Sequence, residues 1–314
     1  MVAEEAVMAK NLVKRYGDFE AVRGISFKVK RGEAFALLGP NGAGKTTTVR
    51  MLTTLTSITS GEAYVNGYDV KREGLMVRRS IGLVPDISNL YEELTVEENL
   101  RFTADLYDAP RENVSKLIKE FNLPAKKKFG KLSSGFKRRV TIAAALVHEP
   151  DVLFLDEPTN GLDVHSAKAL RALIRELNKR GMTIFLTTHN MVEAETIPQR
   201  VAIMKGGRII AEGNRTELPK LIGKGARVRL QIEPLSNKLL DALSNYGPTF
   251  DEGDLVFTVQ DADAFMAELC RLKNQLGFRI LKVSTEAPSI EDVFIELTVG
   301  GSEGKACGCG GCPL

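Results

Sequence analysis

Gly39-Pro40-Asn41-Gly42-Ala43-Gly44-Lys45-Thr46 stands between an apolar run, Ala34-Phe35-Ala36-Leu37-Leu38, and a segment from Lys45 to Leu55 that contains neither Gly nor Pro. The octapeptide is a complete G-x-x-x-x-G-K-[ST] pattern, and its setting predicts a buried strand, a tight loop and a helix in that order. Glycines let such a loop curl so that backbone N–H groups converge on phosphate oxygens, and the helix N-terminus adds its dipole. The expected cradle comprises Gly39, Pro40, Asn41, Gly42, Ala43, Gly44, Lys45, Thr46 and Thr47. In it Lys45 is a mobile cation for phosphate, and the Thr46 hydroxyl is a ligand for Mg²⁺. The pattern therefore predicts an α/β fold built around a nucleotide triphosphate and Mg²⁺.

The rest of the composition is that of an ordinary soluble chain. Its 314 residues suit about two domains. With 43% hydrophobic and 26% charged residues, and 43 basic against 40 acidic, the net charge of +3 gives no reason to expect nucleic acid. No stretch approaches the roughly 20 apolar residues that span a bilayer. Met1-Val2-Ala3-Glu4-Glu5 is acidic where a signal peptide would be basic, so a cytoplasmic chain is expected. Cys270 stands alone in a predicted helix and the other three cysteines crowd into the last eight residues, which is no disulfide framework.

Two continuous apolar runs, Val152-Leu153-Phe154-Leu155 and Thr183-Ile184-Phe185-Leu186, predict parallel strands covered on both faces. Between them Leu170, Leu173, Ile174 and Leu177 recur at i, i+3, i+4 and i+7 before Gly181, which predicts a crossover helix. The stretch from about Ser88 to Leu146 is polar and helix-like, and reads as a helical insertion. Gly223-Lys224-Gly225 marks a break, so the first domain is expected over 1–222 and an α+β domain over 226–299. The second domain reads as strand 227–232, helix 235–245, a strand pair turning at 251–254, helix 262–276 and strand 278–284, the ferredoxin-like β-α-β-β-α-β order. Ser289-Ile290-Glu291-Asp292 resembles a capping box opening a last short helix, and a Gly/Cys tail occupies 300–314.

Asp156-Glu157 closes the first of the two apolar strands, which places a carboxylate pair at a strand's C-terminal end. Asp156 is expected to hold Mg²⁺, and Glu157 to orient or deprotonate the water that attacks the γ-phosphate. Together with the loop, these residues reach a family resemblance. Gly39–Thr46, Leu132-Ser133-Ser134-Gly135-Phe136, Leu155-Asp156-Glu157-Pro158-Thr159, Gly161-Leu162-Asp163 and His189 follow the order of the motifs of ABC-transporter ATPase subunits, and the resemblance covers residues 8 to about 218. It implies a P-loop ABC cassette with a mixed β core and a helical subdomain. By position, Tyr16 resembles the aromatic that stacks on adenine, Asp163 the loop aspartate at the dimer interface, and His189 the histidine that contacts the γ-phosphate. Catalysis is thus expected from Glu157, His189 and Lys45. Ser133 and Gly135 resemble the signature residues that complete the partner's nucleotide site, which implies a homodimer through an ATP sandwich.

The chain departs from the family in three places. Ser134 and Phe136 stand where the signature usually has Gly and often Gln. In Val84-Pro85-Asp86, an aspartate replaces the Gln that contacts Mg²⁺ and water. Asp86 is either a metal ligand with slowed turnover or a harmless substitution. The basic residues around the signature, Lys126 to Lys128 and Lys137 to Arg139, read as a solvated face or one that favours an anionic membrane surface. Cys307, Cys309 and Cys312 form C-x-C-x-x-C, either a soft-metal ligand set or a tail with no ligand.

Ala287 to Leu297 is similar to the end of ATPase subunits of the daunorubicin-resistance type, which power two-component exporters. That resemblance implies a separate transmembrane permease as partner, and a location on the cytoplasmic face of the membrane. The competing classes are a soluble ABC ATPase acting on ribosomes or DNA, and a slow-hydrolysing nucleotide-gated module. The single cassette argues against the first, and Glu157 with His189 against the second.

Overall fold

The computed structural model describes residues 4–222, 225–251, 254–286 and 289–298. The Gly223–Gly225 break, the 251–254 turn and the Ala287-Pro288 pair lie partly or wholly outside these residues, as does the tail with Cys307, Cys309 and Cys312. Two compact units divide at Asn214/Arg215.

The first unit opens with a long antiparallel hairpin, β1 (Glu5–Tyr16) and β2 (Phe19–Lys30). Buried and exposed residues alternate along much of it, so no apolar run announces these strands. β3 (Ala34–Leu38) is buried at every position and leads into α1 (Lys45–Leu52). That helix is three residues shorter than the Gly/Pro-free segment predicts. Its last turn is closed by Thr53, and Thr54 turns left-handed at φ 63°. β4 (Ser60–Val65), β5 (Tyr68–Asp69), α2 (Gly74–Ser80) and β6 (Ile81–Val84) follow.

α3 (Val96–Leu106), α4 (Arg111–Glu120) and α5 (Ser134–Leu146) make up the helical insertion. A Thr95–Glu98 capping box starts α3. β7 (Val152–Asp156), α6 (Val164–Lys179) and β8 (Thr183–Thr188) form the predicted βαβ unit, with β7 and β8 parallel and paired from Val152↔Thr183 to Asp156↔Thr187. α6 buries Leu170, Ile174 and Leu177, whereas Leu173 is only half-buried at the margin of the contact stripe. Gly181, at φ +97°, ends the unit's helix. α7 (Met191–Thr196), β9 (Arg200–Lys205) and β10 (Arg208–Gly213) complete the first unit.

Among the described residues the larger sheet of this unit runs β10-β9-β3-β8-β7-β6, parallel except for β10, and a second, antiparallel sheet runs β2-β1-β4-β5. Phe27 of β2 stacks on Phe35 of β3 at 5.5 Å, and Phe185 of β8 lies 5.2 Å from Phe154 of β7. This aromatic cluster joins the two sheets into one core. Burying each such ring contributes about 1.5–3 kcal/mol, and the core holds the C-terminal ends of β3, β7 and β8 together as one platform.

The second unit carries a short 3-10 turn (Leu218–Ile222), β11 (Ala226–Glu233), α8 (Asn237–Leu243), β12 (Thr249–Asp251), β13 (Asp254–Val259), α9 (Ala262–Leu276), β14 (Arg279–Glu286) and α10 (Ile290–Thr298). The 3-10 turn buries Leu218 and packs with α10, which is why the division falls before it and not at the glycines after it. Sheet order is β12-β13-β11-β14. α8 is shorter than the predicted 235–245, because Ser236 caps it after Pro234. Val228, Leu230, Phe257, Phe265 and Leu269 form a core belonging to this unit alone. Ser289 and Asp292 exchange side-chain and backbone hydrogen bonds at the start of α10.

Candidate functional site

The loop after β3 folds back on itself. Ala43 N–H donates to Pro40 O at 3.2 Å, and Gly39 N–H reaches Thr188 O at 3.2 Å. Gly44 has φ +103°, and a Cβ there would stand 2.6 Å from Ala21 O, so no other residue fits where the chain passes β2 and enters α1. No side chain caps α1, and its first-turn N–H groups are left for an external acceptor. The loop forms one wall of a cleft of about 480 Å³. Asn41 to Thr47 line it, facing Phe19, Ala21, Asp86, Glu157, Asn160 and His189.

Lys45 and Glu157 meet inside this cleft. Lys45 Nζ donates to Gly39 O at 2.7 Å and Pro40 O at 3.2 Å, and lies 3.1 Å from Glu157 Oε1. Both side chains are largely buried. Glu157 adopts φ 47°, uncommon for a non-glycine residue, and its N–H is held by Thr187 O at 3.1 Å. That turn at the end of β7 swings the carboxylate out of the sheet. Oε2 accepts from the His189 backbone N–H at 3.2 Å and lies 2.8 Å from His189 Nδ1.

Asp156, one residue earlier, is bound to α1 and β8. Its Oδ1 accepts from Thr46 Oγ1 at 3.0 Å and from Thr187 Oγ1. Burial pushes the Asp156 carboxyl above its ordinary pKa, and the two hydroxyls oppose that shift. A hydroxyl and a carboxylate held together at a strand end form an oxygen donor set that suits a hard divalent cation. Asp86 lines the same cleft, where its Oδ1 accepts from Asn160 Nδ2 at 3.1 Å. Arg138 of α5 donates to Pro85 O at 2.6 Å and Asp86 O at 2.9 Å.

Gly39 and Pro40 contribute carbonyls to Lys45 but do not line the cleft, and neither do Tyr16, Ser133, Gly135 or Asp163. Tyr16 is half-exposed, with Lys14 Nζ 4.8 Å from its ring centre. Its cross-strand partner Phe19 is the aromatic at the cleft. Ser133 occupies the cap position of α5 without a side-chain cap bond. Asp163 caps α6 through Ser166 N–H at 2.9 Å, which lowers its pKa. A Cβ on Gly135 would stand 2.6 Å from Ser166 Oγ, so α5 and α6 approach closely there.

Sequence reasoning missed Phe19, Asn160, Thr187 and Arg138. Asn160 carried a signal, lying between the two motifs Leu155–Thr159 and Gly161–Asp163 without belonging to either. Thr187 carried none, and Arg138 was read only as part of a solvated or membrane-facing basic run although it is buried, since their roles depend on contacts 31 and 53 residues away.

Residues 22–160 match the family model described as ABC transporter. The chain is 34% identical over 304 residues to the linearmycin resistance ATP-binding protein LnrL of Bacillus subtilis, covering 93% of this chain and 98% of that one. It is also 34% identical over 307 residues to the daunorubicin resistance ATP-binding protein DrrA3 of Streptomyces coeruleorubidus, covering 95% and 97%. Among solved structures it resembles the dimeric post-hydrolysis state of the ATP-binding cassette MJ0796 bound to ADP and Pi. The TM-score is 0.61 and the identity 28%, over 66% of this chain and 98% of that one.

Proposed function

The chain belongs to the ABC-transporter ATP-binding family, whose members are ATPases, and on that footing we propose that it works as a Mg²⁺-dependent homodimer driving export through a separate membrane subunit. The observation that carries the proposal is the meeting of Lys45, Glu157 and His189 in one cleft beside the Thr46–Asp156 pair.

Each residue has a task that its position supports. The open N–H groups of the loop and of α1, with Lys45 Nζ, bind and orient the phosphates. Glu157 is the base. Its oxygens are held from two sides, by Lys45 and by His189, so its carboxylate can take a proton from a water without searching for a rotamer. His189 is the polar contact that follows the γ-phosphate. Thr46 and Asp156 would hold Mg²⁺, which neutralises charge on the phosphate oxygens. Phe19, the cross-strand partner of Tyr16, offers the adenine ring an aromatic wall. Ser133, Gly135 and Asp163, which do not line this cleft, are the residues we assign to the partner's nucleotide. The dimeric cassette MJ0796 and the export and resistance names of the relatives support that assignment.

A second surface supports the membrane partner. An apolar groove of about 390 Å³ lies between β6, α3 and α5, with Leu55, Tyr91, Phe102 and Leu106 exposed along it. Tyr91 and Phe102 meet edge to face at 5.3 Å, leaving a rigid aromatic rim. Such a groove suits an amphipathic helix presented by a permease at the cytoplasmic face. No helix of the described residues is long and apolar enough to cross a membrane.

Steady-state ATP hydrolysis with and without Mg²⁺ tests the reading. Lys45→Ala is expected to weaken ATP binding roughly a hundredfold, the loss of charge-assisted phosphate contacts. Unchanged affinity would remove the loop from the triphosphate site. Leu106→Asp is expected to lower the share of the protein that sediments with membranes.

A further inference from the structure

Glu193, in the first turn of α7, is the least exposed carboxyl group among the described residues, at 1%. The nucleotide chemistry above makes no use of it. Its Oε2 accepts the Thr188 hydroxyl, and its Oε1 is buried with no hydrogen-bond partner. The Thr159 side chain adjoins the same carboxyl. These two threonines are not arbitrary neighbours. Thr188 immediately precedes His189, and Thr159 follows Glu157 by two residues. Thr188 Oγ1 also accepts the Asn190 N–H at 2.9 Å, and Asn190 in turn caps α7 by accepting Val192 N–H. One buried side chain therefore touches both segments that carry the Glu157–His189 pair, without touching either residue.

We propose that Glu193 is a positioning residue, which holds the end of β8 and the loop after Glu157 in the one arrangement that lets Glu157 Oε2 and His189 Nδ1 meet at 2.8 Å. This rests on the ATPase reading of that pair. Burial pushes the Glu193 carboxyl above its ordinary pKa, the Thr159 and Thr188 hydroxyls opposing the shift and the Glu157 charge adding to it. Arg171 acts in the opposite sense but more weakly. A glutamine has the same shape as the protonated acid and keeps an acceptor for Thr188. If Glu193 were only a filler of space in the α7 contact, removing it would lower stability and affect every step of turnover without preference.

The test uses the full chain and four variants: Glu193→Gln, Glu193→Ala, His189→Ala and the Glu193→Ala/His189→Ala double. Glu193→Gln is expected to keep kcat within about threefold of the parent. Glu193→Ala is expected to lose about tenfold or more in kcat, the usual scale for a misplaced catalytic group, with the KM for ATP within about twofold. In the His189→Ala background, the same alanine is expected to cost little further, because the pair it positions is already gone. Additive losses in the double variant, a rise in KM with kcat intact, or a glutamine variant as impaired as alanine would each overturn the proposal. Should Glu193→Ala fail to fold, Thr188→Val removes the same contact from the other side and is expected to reproduce the kcat loss, its absence counting against the proposal. A parent protein with no ATPase activity would instead sink the reading on which the proposal rests.

Discussion

Glu157 and His189 are joined twice, Oε2 accepting the His189 backbone N–H at 3.2 Å and lying 2.8 Å from its Nδ1. The backbone contact fixes where the ring begins and the ring contact fixes how it turns, so the Glu157 carboxylate and the His189 ring are held in one relation to each other.

That coupling makes Glu157→Gln an informative variant. The amide keeps one oxygen, where the carboxylate gave one each to Lys45 and to the His189 N–H, and it cannot take a proton from water. Turnover is expected to fall by roughly 10²–10⁴, with ATP binding retained and a dimer accumulating in ATP and Mg²⁺. Light scattering beside a hydrolysis assay reads both, and parent-rate hydrolysis would remove Glu157 from the role of base.

Asp86 is the residue at the cleft where this chain leaves its family, and its Oδ1 is already engaged by Asn160 Nδ2. Its charge also adds to the rise in the Asp156 pKa. Asp86→Gln removes an anion near the phosphates and restores a donor, so the ATPase rate is expected to rise, by about two- to tenfold on the scale of a single oriented hydrogen bond. Rates across a Mg²⁺ titration decide the matter. A lower rate at saturating Mg²⁺ would make Asp86 a metal ligand to which the site has adapted.

Residues 1–214 are expected to fold alone, because their aromatic core and the core of the second unit share no residue. The fragment should unfold cooperatively on heating and bind ATP with an affinity within about threefold of the full chain. A fragment that is molten or silent toward nucleotide would place part of the cassette's stability after Asn214.

His148 gives the fold a dependence on pH. Its ring stacks on Tyr107 at 3.9 Å, and Nε2 lies 2.9 Å from Ile81 O, a geometry satisfied by a proton on Nε2. Nδ1 is buried without a partner, and burial lowers the pKa below the ordinary 6.5. The unfolded chain therefore takes up a proton at a pH where the folded chain does not. The stabilising contribution is complete above about pH 6.5 and is lost as the pH falls below it toward the folded value. His148→Phe keeps the stack and removes the titration, so its melting temperature should change less than the parent's between pH 7.5 and 5.5. Parallel curves for the two proteins would assign the pH dependence elsewhere.

How much of this was readable before folding depends on whether the information is local. The glycine-rich loop, the strand runs through Leu38, Leu155 and Leu186, and most of the buried stripe of α6 were legible, because a strand or helix periodicity and a glycine-rich turn are properties of contiguous residues. The element order of the second unit was legible for the same reason. The β1–β2 hairpin was not, since half-buried strands carry only alternation and no apolar run. What only the tertiary structure decided is which side chains meet. Thr46 and Asp156 are 110 residues apart, Asp86 and Asn160 are 74 apart, and Arg138 reaches back 53 residues to Pro85. No local pattern encodes such distances. They follow from parallel strand order, which brings the C-terminal ends of β3, β7 and β8 side by side whatever their separation along the chain. The antiparallel β1–β2 pairing put Phe19, the cross-strand partner of Tyr16, at the cleft, and the fold set the buried Glu193 against Thr188 and Thr159.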